Sequence, residues 1–406
     1  MLSKNRSCSQ VADKRLELPA AVVIAAELVE AREARAQQHV VARQRQHPVP
    51  RRGDVRVGVM RVQGRAVVDE VNGAGGVLGR KVQLISENDE TNPEAAVRAA
   101  RKLIDVDKVS AILGTWASSV TTAVAPLCWE NKVMLFTVSG ADSITQLPHR
   151  GYIIRTQPNT TLQSMRGGQF MMQQGAKRIF TLSAQTPFAL SGYEVMSQTF
   201  KDGKAEAVGH VVYDAAKTTF RNEIEQALKA KPDTIFFNSY TPDLTVLLRE
   251  IYRAGYEGRK HTMAYAASAK LLEGLPPEVT EGLTSMAPSP DLDSPVYKRV
   301  ASILGSEPDP YSCQTYDHAS MALLAIAKAG AATGVAIHDS VRLVSQGSGA
   351  KVGSAVEGLK LLADKKDVNY EGASGPCDFN DVGDIISCKF RFDVAEKGRN
   401  RMLQVA

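Results

Sequence analysis

The sequence predicts an α/β protein built on parallel sheets, and two stretches carry the prediction. Val71–Ser119 reads as a helix end, a glycine turn, a strand, a helix, a second strand and a loop of free hydroxyls, and the same alternation recurs between Arg178 and Ala254. A strand, crossover helix and strand imply parallel pairing. Loops beyond the carboxyl ends of such strands are where open α/β sheets hold ligands.

Asp54–Met60 predicts a first strand and Gln63–Asn72 a short first helix. Gly73-Ala-Gly-Gly-Val-Leu-Gly79 departs from the dinucleotide fingerprint: Leu78 stands where the third glycine belongs, and the order is helix, glycines, strand. It therefore reads as a helix cap and turn. Asn92-Pro93 opens a helix through Ile104, and Ser110–Gly114 is a buried strand. The loop Thr115-Trp-Ala-Ser-Ser119 runs into a helix over Val120–Ala125, so backbone N–H groups and two serine hydroxyls are placed to hold a carboxylate. Lys132–Phe136 is the next strand and Gly151–Thr156 an extended segment. Strands follow at Arg178–Ser183, Ala207–Tyr213 and Thr234–Asn238, with helices at Ser191–Phe200, Asn222–Lys229 and Leu244–Ala254, and a long helix at Tyr316–Ala329.

Over 406 residues the formal charge is +5, but residues 1–65 carry 13 Lys and Arg against 6 Asp and Glu, and the other 341 hold 36 against 38. The body is near neutral, and without a recognised motif the basic excess does not point to nucleic acid. No apolar run approaches the ~18 residues of a spanning helix. Residues 1–54 form an atypical basic leader, expected to be disordered. Its longest apolar run, Leu18–Ala26, follows Asp13 and Glu17 and lacks a secretory cleavage site. The leader reads like translation from a wrong start or frame, with a genuine helix and basic linker as the alternative.

The five cysteines show no metal spacing. Cys377 and Cys388 flank a turn at Asp378–Asp384 and are either a disulfide or two thiols; Cys128 is expected to be buried, and Cys313, ahead of the Tyr316 helix, more exposed. His210, His261 and His318 are scattered, and no serine lies in a nucleophile elbow. No catalytic residue, cofactor or metal is expected.

VDEVNGAGGVLGRKVQL, ILGTWASSVTTAVAP, FTVSGAD, GYIIRT, TIFFNSYTPD, LLREIYRAGY, EGLTSMAP, TYDHASMALLAIAKAG and GPCDFNDVGD occur in this order. From Val67 onward the chain resembles the leucine/isoleucine/valine-binding type of periplasmic solute receptor, the substrate-binding component of branched-chain amino-acid ABC transporters. The resemblance implies two doubly wound α/β lobes joined by a three-strand hinge, with crossings near Gly151–Thr156, Glu281–Ala287 and Gly375-Pro376. Lobe 1 would comprise 55–157 with 285–375, and lobe 2 158–284 with 376–406. It implies a non-enzymatic receptor for an amino acid, amide or small carboxylate, periplasmic, working with a membrane permease, with no nucleic-acid partner and no membrane insertion. The alternatives are a cytosolic amide or amino-acid sensor of the same fold and, in another class, an NAD-linked or hydrolytic enzyme.

By the same resemblance the ligand lies against Ser118, Ser119, Ser139, Gly140 and Ala141 of the first lobe and Phe188, Tyr240 and Tyr265 of the second. Phe188 would take a position usually held by tyrosine. Tyr265 lies where amino-acid receptors place an acid against the ligand's ammonium. A buried ammonium needs a partner, so this pattern suits a neutral amide, an aromatic acid or another small carboxylate better than leucine, isoleucine or valine.

Overall fold

The computed structural model describes residues 55–59 and 64–406; the leader read over 1–54 lies outside them. The first sheet is wholly parallel, in the order β2-β1-β3-β4-β5, from β1 (Val55–Val59), β2 (Val82–Ser86), β3 (Ala111–Thr115), β4 (Met134–Thr137) and β5 (Ile153–Arg155). β3 and β4 are buried along their whole length, as central strands covered on both faces should be. Alternate residues serve opposite faces: Ala111 and Leu113 join the core cluster containing Phe136, Tyr316 and Leu323, while Ile112 joins the one containing Val120, Val124 and Leu135.

The second sheet repeats the winding. β6 (Arg178–Ala184), β7 (Glu206–Tyr213), β8 (Thr234–Asn238), β9 (Arg259–Met263) and β10 (Leu283–Ser289) are parallel in the order β7-β6-β8-β9-β10. A small sheet of β11 (Ala350–Val352), β12 (Val368–Gly372) and β13 (Gly375–Pro376) intervenes in the chain, and then β14 (Lys389–Glu396) and β15 (Arg399–Val405) extend the second sheet antiparallel beyond β10. Strand order reverses beside β1 and β3 in one lobe and beside β6 and β8 in the other. Crevices at such reversals are the binding positions of open α/β sheets.

At Val71–Arg80 the glycines serve a turn. Gly76, at φ +85°, donates to the Val71 carbonyl at 2.8 Å, and a Cβ there would lie 2.0 Å from the Arg80 carbonyl oxygen. Only glycine fits.

Three sequence expectations change. The crossings read at Glu281–Ala287 and at Gly375-Pro376 fall largely in strands, Leu283–Ser289 paired along its length with β9 and β14, and Gly375–Pro376 paired with β12. The long helix begins at Pro310, because Asp309 caps it through the Tyr311 and Ser312 N–H groups; Cys313 is therefore inside the helix and fully buried. Of the two alternatives left open for Cys377 and Cys388, the structure has two free thiols.

At the end of β5, Arg155 is fully buried against residues 383–385. Its Nε donates to Asp384 Oδ1 at 2.7 Å, Nη1 to the Ala141 carbonyl at 2.6 Å, and Nη2 to Thr145 Oγ1 at 3.1 Å. Its backbone pairs with Gly383 and Ile385. Among the described residues no single helix is long and apolar enough to cross a membrane, and no metal-ligand cluster is present.

Candidate functional site

The loops after β3, β4, β6, β8 and β9 converge on one cavity between the lobes. Trp116, Ala117, Ser118, Val138, Gly140, Gln157, Phe188, Tyr240, Tyr265 and Tyr311 line it, around an empty volume of about 310 Å³. That figure includes space open to solvent; the part enclosed by the walls is about 20 Å³, room for about one water molecule.

One wall is polar and comes from the first sheet. The helix Ser118–Glu130 starts at Ala117, which offers no side-chain cap, and its first intrahelical bond is Thr121 N–H to the Ala117 carbonyl. The N–H groups of Ser118, Ser119 and Val120 therefore have no acceptor within the helix, and its positive dipole end lies at the cavity. Ser118 Oγ accepts the Ala141 N–H at 3.1 Å, so its own proton remains to donate. Behind this wall Thr115, Thr121, Thr137 and Ser139 form a buried hydroxyl network, with Thr115 Oγ1 donating to Thr137 Oγ1 at 2.9 Å and Ser139 Oγ donating to the Trp116 carbonyl at 2.7 Å.

The other wall is aromatic. Trp116 meets Tyr240, Tyr265 and Tyr311 edge-on, with centroids 6.1, 5.7 and 5.9 Å apart. Tyr265 continues the cage to Phe188 at 6.1 Å and lies 5.5 Å from Tyr240. Burial pushes the Tyr240 and Tyr265 phenols up, Tyr265 far up, so both remain neutral. The two lobes touch directly here: a Cβ on Gly140 would lie 2.5 Å from the Phe188 ring.

Of the residues singled out from the sequence, Ser118, Gly140, Phe188, Tyr240 and Tyr265 line the cavity, and Ser119, Ser139 and Ala141 do not. Ser119 is partly exposed at the next helical position. Ser139 is fully buried and braces the hydroxyl network, with Thr121 Oγ1 2.5 Å away. Ala141 packs in the core and gives its N–H to Ser118 and its carbonyl to Arg155. Sequence reasoning missed Trp116, Gln157 and Tyr311. Trp116 was legible as a lone large ring in a loop of hydroxyls. Gln157 follows the first crossing with no local signal, and Tyr311 was hidden by placing the helix start at Tyr316.

Among the described residues that line the cavity none is charged. Asp243, a candidate partner for an ammonium, is buried, accepts Tyr213 Oη–H at 2.6 Å and the Tyr240 N–H at 2.9 Å, and caps the helix Thr241–Arg253. Burial raises its carboxyl, and these bonds oppose the rise. Asp142 is likewise engaged, accepting from the Thr161 N–H and hydroxyl at 3.2 and 3.0 Å. The polar groups of the cavity thus offer hydrogen-bond donors and no anion.

A family model described as periplasmic binding protein matches residues 60–385. The chain belongs to that family. It is 25% identical over 320 residues to the chemotactic signal transduction system substrate-binding protein BasB of Halobacterium salinarum, covering 77% of this chain and 76% of that one. It is 26% identical over 216 residues to the leucine-, isoleucine-, valine-, threonine- and alanine-binding protein of Pseudomonas aeruginosa, covering 52% of this chain and 56%, little more than half, of that protein. Among solved structures, the leucine-binding protein LivK of Thermotoga maritima superposes with a TM-score of 0.72 at 24% identity, covering 86% of this chain and 98% of that one. An R. palustris ABC-transporter solute-binding protein solved with 4-hydroxybenzoate gives 0.68 at 19% identity, covering 87% and 97%. The fold is that of type I periplasmic binding proteins. These relatives and neighbours are solute-binding proteins, not enzymes.

Proposed function

We propose that this periplasmic binding protein is the extracytoplasmic receptor of an ABC-type uptake system, and that it closes its two lobes around a small aromatic carboxylate or amide. The observation that carries the reading is the composition of the cavity wall: five aromatic rings, donor groups at a helix amino end, and no charged side chain among the described residues that line it. A carboxylate gains from the N–H groups of Ser118–Val120 and from the Ser118 hydroxyl. A flat ring gains from the cage of Trp116, Phe188, Tyr240, Tyr265 and Tyr311. An amino acid would bring an ammonium that finds no anion, at a desolvation cost of several kcal/mol.

The same fold is found in one neighbour solved with 4-hydroxybenzoate and in another named for leucine, so the choice of ligand rests on the cavity wall. Ser139 and Ala141 act one step back from the ligand, holding the loop whose groups touch it, and Ser119 offers its backbone N–H rather than its hydroxyl. The ligand stabilises the closed form because both walls contact it, and a permease would read that form. We place the lobe limits near residues 157, 290 and 386; the sequence reading puts them at 157, 285 and 375, and the second moves with the pairing of β10 and the third with the pairing of Gly375–Pro376 to β12.

A thermal-shift screen of benzoate, 4-hydroxybenzoate, benzamide and the aliphatic amino acids tests this. A ligand at about 100 times its Kd adds roughly 2.7 kcal/mol to stability. The aromatic carboxylates are expected to give the largest shifts; a largest shift with leucine, isoleucine or valine overturns the reading.

A further inference from the structure

The hydrogen bonds behind the cavity fix the orientation of one amide. Gln314 Nε2 lies 3.3 Å from the Thr156 carbonyl oxygen and 3.0 Å from Gln157 Oε1. A carbonyl only accepts, so the Gln314 atom beside Thr156 must be nitrogen, and the same nitrogen requires an oxygen from Gln157. The Gln157 amide is therefore turned with its oxygen to the helix Pro310–Ala329 and its two N–H donors away from it. Thr156 is pinned in turn by His318, whose Nε2 lies 2.7 Å from Thr156 Oγ1. Gln157 is only 3% exposed, yet it forms part of the cavity wall.

We propose that Gln157 is a specificity-determining donor of the ligand site, its Nε2 hydrogen-bonding a carboxylate oxygen of the ligand, and that Gln314 is the positioning residue that prevents the amide from flipping. The proposal rests on the aromatic-carboxylate reading above and extends it, because it assigns the second donor group to the hinge itself. Gln157 follows directly on the first crossing between the sheets. A ligand lacking an acceptor there would leave a buried amide donor unpaired, which selects against it more strongly than loss of an apolar contact would.

The test is calorimetric titration of the full chain with benzoate and with benzamide. The wild type is expected to prefer benzoate. Gln157→Glu keeps one oxygen for Gln314 and presents the other to the cavity, so benzoate affinity should fall at least about thirtyfold while benzamide, which can donate to the new carboxylate, is retained, inverting the preference. Gln314→Leu releases the amide to turn either way, and the two affinities should converge. A folded Gln157→Glu protein with an unchanged benzoate-to-benzamide ratio overturns the proposal. If that variant does not fold, Gln157→Met decides: a loss of about tenfold in benzoate affinity supports the assignment, and an unchanged affinity overturns it. A wild type that binds neither probe defeats the ligand class itself, a result separable from a donor that does not discriminate.

Discussion

The two walls of the cavity are built in opposite ways. The first-lobe wall is a set of hydrogen-bond donors beside the rings of Trp116 and Tyr311, and the donors are held by deeper polar networks: Ser118 by the Ala141 N–H, the loop beneath it by Ser139 and Thr121, and the carbonyls beyond by Arg155. The second-lobe wall is three rings, Phe188, Tyr240 and Tyr265, set at the ends of β6, β8 and β9 and held mainly by packing. Polar reading needs fixed geometry, so its supports are buried and cross-linked. Apolar clamping needs area and tolerates looser placement. In a hinged receptor this separates identification of the ligand from the energy of closure.

The sharpest way to break the contrast is to remove the polar support from beneath. Arg155→Ala leaves Asp384 buried without its cation and strips a donor from the Ala141 carbonyl, so unfolding free energy should fall by about 3–5 kcal/mol in denaturant titration; a loss below about 1 kcal/mol would contradict that role. Next comes the clamp. Tyr265→Ala should weaken benzoate binding by about 2 kcal/mol or more, whereas Ser118→Ala should cost nearer 1 kcal/mol, because one removes a large buried ring and the other a single hydrogen bond. Equal losses would erase the distinction between the walls. At the contact between them, Gly140→Ala drives a methyl into the Phe188 ring and should weaken binding by about 1–3 kcal/mol, with Phe188→Ala relieving the added strain in a double-mutant cycle.

Away from the cavity walls, a pH slope of stability is expected. Burial holds His318 down at about 3, well below the ordinary histidine value. In acid the unfolded chain takes up a proton that the native state refuses, so stability falls as pH drops below about 6.5 and continues to fall toward pH 3. Between about pH 7.5 and 5.5 this one group accounts for about 1.4 kcal/mol. Asp317, raised by burial to about 6, acts the other way, losing stability as pH rises from about 4 to 6. His318→Gln removes only the first contribution, so its stability profile should be flatter than the wild type's by that amount, and parallel profiles would show that His318 does not titrate on unfolding.

The fold was legible where the chain is monotonous. β3, β4 and β8 are short apolar runs between glycines and caps, and their burial on both faces leaves no other reading. It was not legible in Pro310–Thr315, where three polar residues are buried: Gln314 donates to Thr156 and Gln157 beside the helix, while Ser312 and Thr315 donate to Asp309 and to the Tyr311 carbonyl within the helix itself. Nor was it legible in Leu283–Ser289, an extended run whose sheet is chosen by partners far away in sequence. The site followed the same rule. Ser118 could be read from its loop and helix start and Phe188, Tyr240 and Tyr265 from the family resemblance, but whether Ser139 faces a ligand or braces a loop depends on Thr121 and Trp116 folding over it.

The central claim is that the cavity is made for an aromatic carboxylate because it offers donors and rings without an anion. Calorimetric titration of the wild-type chain with benzoate and with leucine, under identical conditions, tests it most directly. The account predicts saturable binding of benzoate at least about a hundredfold tighter than leucine, a difference of about 2.7 kcal/mol; tighter binding of leucine would contradict it.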